Sequence, residues 1–349
     1  MCNSDKFLKD IATLILSKFP ECYNEFYVYD DGRGFGRVDN KHINYGKSHG
    51  FKRLTRFLKL LVRINKADKI IAHSFNKFDI VLALFLCPWV LNRTYWLIWG
   101  ADLYGYRDVR KSLKMAIKEK VRAKVIGGVG FLCTYLDGDY RRAIDWYSAK
   151  GKLISCLIYP SNLAPLPPKS IGFHDSTPKG NATSILLGNS ATPSNHHIEI
   201  FEKLMNFSGF DFSVYTPLSY GDQRYSKHVI DTGNRILGKK FIPLLDFLPK
   251  AEYLNLLTGI DIVVFNHDRQ QAMGNLISLL GLGKTVYLRK GTSQWKLFNE
   301  LGIAVYDVDL FDFTTLPPDR ANQNIKLVQE HFSRRKLLAG WSAILKENS

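Results

Sequence analysis

Ser184-Ile185-Leu186-Leu187-Gly188-Asn189-Ser190 is a short apolar run closed by three small or polar residues. So brief a run, ended by turn chemistry, is a strand leaving a sheet rather than a turn of helix. The chain then repeats the theme. A helix is expected near Asn195 to Asn206, a strand at Phe212 to Tyr215 and a helix at Asp222 to Leu237. Lys240 to Leu244 and Ala251 to Leu257 form the next pair. Strand Asp261 to Phe265, helix Gln271 to Leu280, strand Thr285 to Leu288, helix Gln294 to Leu301 and strand Ile303 to Tyr306 complete it. Such alternation implies a parallel sheet covered on both faces, a Rossmann-like domain over 182–330. Ligands of these sheets sit at the carboxyl ends of the strands.

Upstream, residues 1–165 read the same way with less regularity. Strands are expected at Glu25 to Tyr29, Lys69 to His73, Tyr95 to Trp99 and Leu153 to Ile158. Helices are expected at Phe7 to Ser17, Phe51 to Ile64, Phe78 to Val90, Arg107 to Lys124 and Tyr140 to Ala149. The proline-rich stretch from Pro160 to Asn181, with 166–181 at its centre, has linker composition. Ala321 to Lys346 reads as one long helix bent near Ser333, with 331–349 as a C-terminal helix. The expected fold is therefore α/β, with two Rossmann-like domains facing across a cleft.

Composition narrows the function. The 349 residues are 46% hydrophobic and 13% aromatic, which excludes a disordered chain. Five scattered cysteines exclude a disulfide scaffold and suggest reduced thiols. The most apolar run, Ile80 to Leu91, contains Pro88 and is shorter than the roughly 20 residues of a membrane span. Charge is uneven: residues 1–165 hold 28 basic and 15 acidic side chains, within a whole-chain net of +16. Gly50 to Lys124 alone has 17 basic against 5 acidic. A polyanionic partner is expected on that half: nucleic acid, an anionic bilayer or an acidic substrate.

Two loops on the second sheet suit an anion. Gly188, Asn189 and Ser190 bring backbone N–H groups and side-chain donors to a strand end, or else form an ordinary strand-to-helix turn. Asn266 to Asn275 offers Arg269 for bidentate pairing, Gln270 and Gln271 as donors, and the N–H groups of the helix expected from Gln271. A solvated loop with a structural arginine is the plainer alternative. In the first domain, Trp96 to Tyr104 ends an aromatic strand in a small-residue turn carrying Asp102. That carboxylate is either a general base or a helix cap. His73 ends the preceding strand as a second base or phosphate contact, though a lone histidine is more often structural. Asp137-Gly138-Asp139 matches a metal-binding DxD triplet but is also turn chemistry. Gly46 to Gly50 matches GxSxG without the buried strand a nucleophile elbow needs. Arg107, Arg110, Lys111 and Lys114 open a basic amphipathic stretch, joined by upstream Lys52, Arg53, Arg56, Lys59 and Arg63. It is either a solvated face or a docking surface for anionic headgroups.

WxxWGADLY (Trp96 to Tyr104), LxGNSxxxSNxHI (Leu186 to Ile198) and RQQxxGxL (Arg269 to Leu276) together resemble the TDP-4-acetamido-4,6-dideoxygalactose (Fuc4NAc) lipid II transferases of enterobacterial common antigen synthesis. Pro217, Tyr220, Tyr253-Leu254, Leu256-Leu257, Arg289 and Trp295 extend the match. The resemblance implies the GT-B glycosyltransferase architecture and a peripheral enzyme on the cytoplasmic face of the bacterial inner membrane. It implies a TDP-sugar donor held by the second domain, through Gly188, Asn189, Ser190, Tyr220, Arg269, Gln270, Gln271, Gly274, Asn275 and Arg289. It also implies a polyprenyl-diphosphate-linked glycan acceptor on the first domain near Trp99, no cofactor and no metal. Two departures stand out. Family chains usually have a strand and polar loop before the first helix, whereas here the helix begins at Ser4 to Phe7. Thr192 and Pro193 replace a charged pair, and Asn266 to Asp268 differ. A different nucleotide sugar in O-antigen assembly is the near alternative. A non-catalytic nucleic-acid-binding protein is the distant one, without an RNP, helix-turn-helix or zinc signature, so nucleic acid is not expected as a partner.

Overall fold

Hydrophobic periodicity becomes two parallel α/β units in the computed structural model, which describes residues 7–28, 40–46, 51–165 and 182–346. One unit comprises the chain up to Ser161 together with the part from Arg334 onward; the other runs from Asn162 to Ser333. The expected linker at 166–181 and positions 47–50 of the GxSxG match lie outside the described residues.

The first unit starts with α1 (Leu8–Lys18), a parallel pair β1 (Phe26–Tyr27) and β2 (Ile43–Asn44), and α2 (Phe51–Lys66). Its sheet has four parallel strands in chain order, β3 (Ile70–His73), β4 (Thr94–Leu97), β5 (Phe131–Cys133) and β6 (Lys152–Ile154). α3 (Phe78–Leu86) links β3 to β4, the short α4 (Gly100–Leu103) and α5 (Leu113–Gly128) link β4 to β5, and α6 (Asp137–Tyr147) links β5 to β6. Thr94, Tyr95, Trp96 and Leu97 are all buried, as a central strand covered on both faces requires.

Several elements depart from the sequence expectations. α3 stops at Leu86, because Cys87 precedes Pro88 and is held out of the helical region; a 3₁₀ stretch follows to Arg93. The single helix expected from Arg107 to Lys124 is split. Ser112 is extended, its hydroxyl accepts the Met115 N–H, and a new helix starts behind it, while Tyr104–Lys111 is 3₁₀. β5 was not expected at all. It is three residues long and follows Gly130, where a Cβ would collide with the backbone carbonyl of Asn92.

The second unit contains β7 (Thr183–Leu187), α7 (His197–Met205), β8 (Phe212–Pro217), α8 (Gln223–Leu237), β9 (Phe241–Leu244), α9 (Lys250–Thr258), β10 (Ile262–Phe265), α10 (Met273–Gly281), β11 (Thr285–Leu288), α11 (Ser293–Glu300), β12 (Tyr306–Asp307) and α12 (Pro318–His331). Its six parallel strands run β12-β11-β10-β7-β8-β9. The order reverses between β7 and β10, the doubly wound switch point at which loops diverge and leave a crevice. Asp222 fixes the start of α8 by accepting from the Arg224 and Tyr225 N–H groups, and Thr292 caps α11.

The long helix expected over Ala321 to Lys346 is two helices. α12 ends at His331, and α13 (Arg334–Lys346) belongs to the first unit. There Trp341 is wholly buried and donates its indole N–H to the Ile158 carbonyl at 2.9 Å. Lys69 Nζ closes the helix by donating to the Ile344 carbonyl at 3.1 Å. Gly340 lets α13 approach closely, since a Cβ would lie 2.5 Å from Cys156 Cβ.

Candidate functional site

The loops after β7 and β10 leave adjacent strands at the switch point: Leu187 pairs with Val264, and the Gly188 N–H donates to the Val264 carbonyl at 3.0 Å. Gly188 has φ +68, and a Cβ there would lie 2.5 Å from His197 Nε2 and 2.8 Å from Asn195 Oδ1. Only glycine serves at so crowded a left-handed position. Asn195, fully buried, organises the turn. Its Oδ1 accepts from the Asn189 N–H and from His267 Nε2, each at 2.9 Å.

Gln271 ties the two loops together. Its Nε2 donates to Asn189 Oδ1 at 2.8 Å, and its Oε1 accepts from Ser194 Oγ at 2.8 Å. Asn189 Nδ2 in turn donates to Tyr220 Oη at 3.0 Å, which adds the loop after β8. Arg269 Nε lies 3.3 Å from Ser194 Oγ, while Gln294 Nε2 donates to the Arg269 carbonyl at 3.2 Å. α10 begins immediately after Gln271, behind left-handed Ala272 and without a side-chain cap. Its first N–H groups, Gly274 and Asn275 included, therefore supply the positive end of a helix dipole. Asn275 Nδ2 donates to Tyr253 Oη at 3.0 Å.

Beneath this rim lie His197 and His267, both wholly buried. Burial, then the neighbouring His196, lowers the His197 pKa to about 3; burial, then Arg269, holds His267 well below the ordinary histidine value. Both are neutral at pH 7, so the cationic character of the site comes from Arg269 and the helix start.

Of the ten donor-side residues expected from sequence, the structure brings Gly188, Asn189, Ser190, Tyr220, Arg269 and Gln271 into one connected network. Gly274 and Asn275 stand at its helical edge, and Gln270 is half-buried beside it. Arg289 differs. Its guanidinium donates to Glu199 Oε2 at 2.6 Å and to Asn266 Oδ1 at 3.0 Å, so it braces the β10 and β11 loop ends rather than offering an open fork. Ser194, Asn195, His267 and Gln294 were not assigned to the donor site, and Tyr253 entered only through the family match; Ser194 and Asn195 lie within the quoted LxGNSxxxSNxHI pattern, and their spacing from Gly188 was the available signal.

In the first unit, Asp102 has no exposed surface. Its Oδ2 accepts from the Phe75 N–H at 2.7 Å and Trp96 Nε1 at 2.8 Å; its Oδ1 accepts from the Trp99 N–H at 2.9 Å and the Leu103 N–H at 3.0 Å. Burial pushes its pKa up to about 7, against the pull of these donors. Four N–H groups use the four lone-pair directions of a carboxylate. The geometry anchors the carboxylate: Asp102, the third residue of α4, reaches back to the Trp99 N–H at the helix start and ties it to Phe75, beside the left-handed Ser74 at φ +72.

His73 is differently placed. Its Nδ1 lies 3.0 Å from Tyr159 Oη, which also accepts from Trp99 Nε1 at 2.8 Å; Trp341 stacks on the imidazole. Burial holds its pKa well below the ordinary value. Tyr159 is the member of this trio that sequence reading missed.

The remaining expectations resolve simply. Asp137 pairs with Arg141 at 2.6 Å, and Asp139 is buried 4.0 Å from Arg142, both at the start of α6. No group of three or more His, Cys, Asp or Glu side chains among the described residues is arranged to hold a metal. Arg107 lies over the rings of Tyr104 and Trp146, at 5.3 and 5.1 Å, so its charge is stacked on aromatic faces. Lys114 is exposed on α5, and the side chains of Arg110 and Lys111 are outside those described. No helix among the described residues is long and apolar enough to cross a membrane.

Two parallel α/β units, one opening a polar crevice at its switch point, make the GT-B architecture of glycosyltransferases. The apo structure of OtsA matches with a TM-score of 0.62 at 12% identity, over 100% of this chain and 99% of that chain. WaaG, a glycosyltransferase involved in lipopolysaccharide biosynthesis, matches with 0.58 at 9% identity, over 99% and 94%. A glycosyltransferase from Rickettsia africae ESF-5 matches with 0.57 at 14% identity, over 88% and 86%. The family is shown by sequence: residues 14–348 match that of the 4-alpha-L-fucosyltransferases, glycosyl transferase group 56, and the chain belongs to it. The protein is a glycosyltransferase.

Proposed function

We propose that this glycosyltransferase moves a TDP-activated deoxy-aminosugar, Fuc4NAc or a close relative, onto a polyprenyl-diphosphate-linked oligosaccharide at the cytoplasmic face of the bacterial inner membrane. One observation carries the donor side: Asn189, Ser190, Gln271, Arg269 and the uncapped start of α10 converge where the strand order reverses. A diphosphate is the ligand that such a set of donors and a helix dipole fits. The acceptor hydroxyl oxygen attacks the anomeric carbon, the bond from that carbon to the diphosphate breaks, and TDP departs with the electron pair. Arg269 and the α10 N–H groups stabilise the charge that grows on the leaving oxygen, which is the largest demand of the reaction. The scheme calls for no metal or cofactor.

The hydroxyl proton needs a destination. His73 is the residue we assign in place of Asp102. In the tautomer whose Nδ1–H donates to Tyr159 Oη, the neutral imidazole keeps its lone pair on Nε2 and can accept the proton. The basic first unit supports the acceptor side, because a polyprenyl diphosphate is itself a polyanion.

The deciding experiment offers a panel of nucleotide sugars and follows nucleoside diphosphate release with and without a polyprenyl-diphosphate-linked glycan, alongside calorimetry with TDP. Release of TDP that depends on the lipid-linked acceptor is expected. Release of another nucleotide would keep the reaction and change the donor. No heat with TDP and no release from any sugar would end the proposal.

A further inference from the structure

α2 is apolar on two faces, and packing within the unit uses only one of them. Phe57, Leu60 and Ile64 turn inward, with Leu60 and Ile64 buried and Phe57 packed against the core. Leu54, Leu58 and Val62 recur every four residues on another face and remain 53%, 51% and 55% exposed. At about 100° per residue they occupy an arc about 80° wide. Single exposed aliphatic residues need no explanation; three in register over successive turns do. The stripe continues at its C-terminal end: Trp89, 63% exposed, donates its indole N–H to Asn65 Oδ1 at 2.7 Å and is held beside α2 by that bond.

The charges around the stripe indicate what covers it. α2 carries six Lys and Arg and no Asp or Glu. Arg53 is paired with Asp79 and Arg63 with Glu25, whereas Lys59 and Lys66 are exposed on the flank next to Val62. A protein partner would bury the apolar stripe and leave this cationic border needing acidic residues. A second copy of this chain would bring the same cationic border, Lys59 and Lys66, against itself. An anionic bilayer satisfies both features, since aliphatic side chains enter the headgroup–acyl boundary while lysines meet phosphates. An indole with one end hydrogen-bonded and one face exposed is suited to that boundary.

We propose that α2 lies flat on an anionic bilayer, with Leu54, Leu58 and Val62 inserted, Trp89 at headgroup level, and Lys59 and Lys66 on lipid phosphates. This deepens the assignment of a membrane-borne acceptor and rests on that reading for its purpose, but not for its geometry. α2 thereby joins the basic stretch beginning at Arg107, whose own guanidinium is stacked on Tyr104 and Trp146, as a membrane-facing element.

The test is co-sedimentation of the full chain with phosphatidylcholine vesicles containing or lacking phosphatidylglycerol. Wild type should bind the anionic vesicles, with affinity falling as salt rises, and bind neutral ones weakly. Replacing Leu54, Leu58 and Val62 together by Ser should lower partitioning on the order of a hundredfold, from about fivefold per half-buried aliphatic side chain. Lys59→Glu with Lys66→Glu should lower it about tenfold or more on anionic vesicles only. Both variants touch solvent-exposed positions and should keep wild-type circular dichroism and TDP heat, so loss of donor binding in wild type would count against the function and not against the surface. Wild-type partitioning by the folded triple variant would overturn the proposal. So would a wild-type dimer in sedimentation velocity that the triple variant disperses, or absence of vesicle binding by wild type.

Discussion

A single turn carries much of the donor site. Replacing Gly188 with Ala would place a methyl group against His197 Nε2 and Asn195 Oδ1 at φ +68, where no side chain rests without strain. We expect a loss of stability of about 2 kcal/mol and a weakened TDP heat, read by thermal melting and calorimetry. Asp102→Asn tests the anchoring role. The amide would turn a donor toward two N–H groups that now find an acceptor, at a cost of about 1–3 kcal/mol. A lowered Tm with residual turnover is expected; an unchanged Tm with abolished turnover would return Asp102 to the reaction. His73 makes a prediction about pH. Its folded pKa lies well below the ordinary histidine value because it is buried, so it stays neutral as pH falls through 6.5. The acid limb of kcat/KM should therefore fall below the usual histidine range, and a limb centred near 6.5 would remove His73 as the base. Sequence could not separate these two residues, because an Asp three residues into a helix start reads identically as cap or base.

At the level of elements, the second unit was legible almost strand by strand. Ile262 to Phe265 and Thr285 to Leu288 are buried at every position, and continuous apolar runs between amphipathic ones admit few other readings. β5 was illegible because three residues directly after Gly130 are too few to carry a period; its partners on β4 and β6 create it. The split of the final helix was visible only as a bend at Ser333, since periodicity reports which face is apolar and not what that face meets. α13 gives this a testable form. Trp341→Ala removes a wholly buried indole and its bond to Ile158, which should cost about 3–5 kcal/mol. Chemical denaturation should show the loss, with TDP heat retained because the second unit does not contain α13.

Across the whole molecule, charge and architecture divide the labour unevenly. The first 165 residues hold most of the net +16, while the diphosphate site we assign depends on Arg269 and oriented N–H groups more than on bulk charge. If that assignment is right, TDP release should persist in excess EDTA. Activity lost to the chelator and restored by a divalent cation would replace the cradle with a metal-assisted departure. The return of α13 also dictates an order of events during synthesis. An emerging nascent chain presents almost all of its leading half early, yet the seat for Trp341 stays vacant until the ribosome has finished the intervening unit. At typical elongation speeds that wait is on the order of ten to thirty seconds. Throughout it, an incomplete apolar surface is open to chaperones and to neighbouring nascent chains.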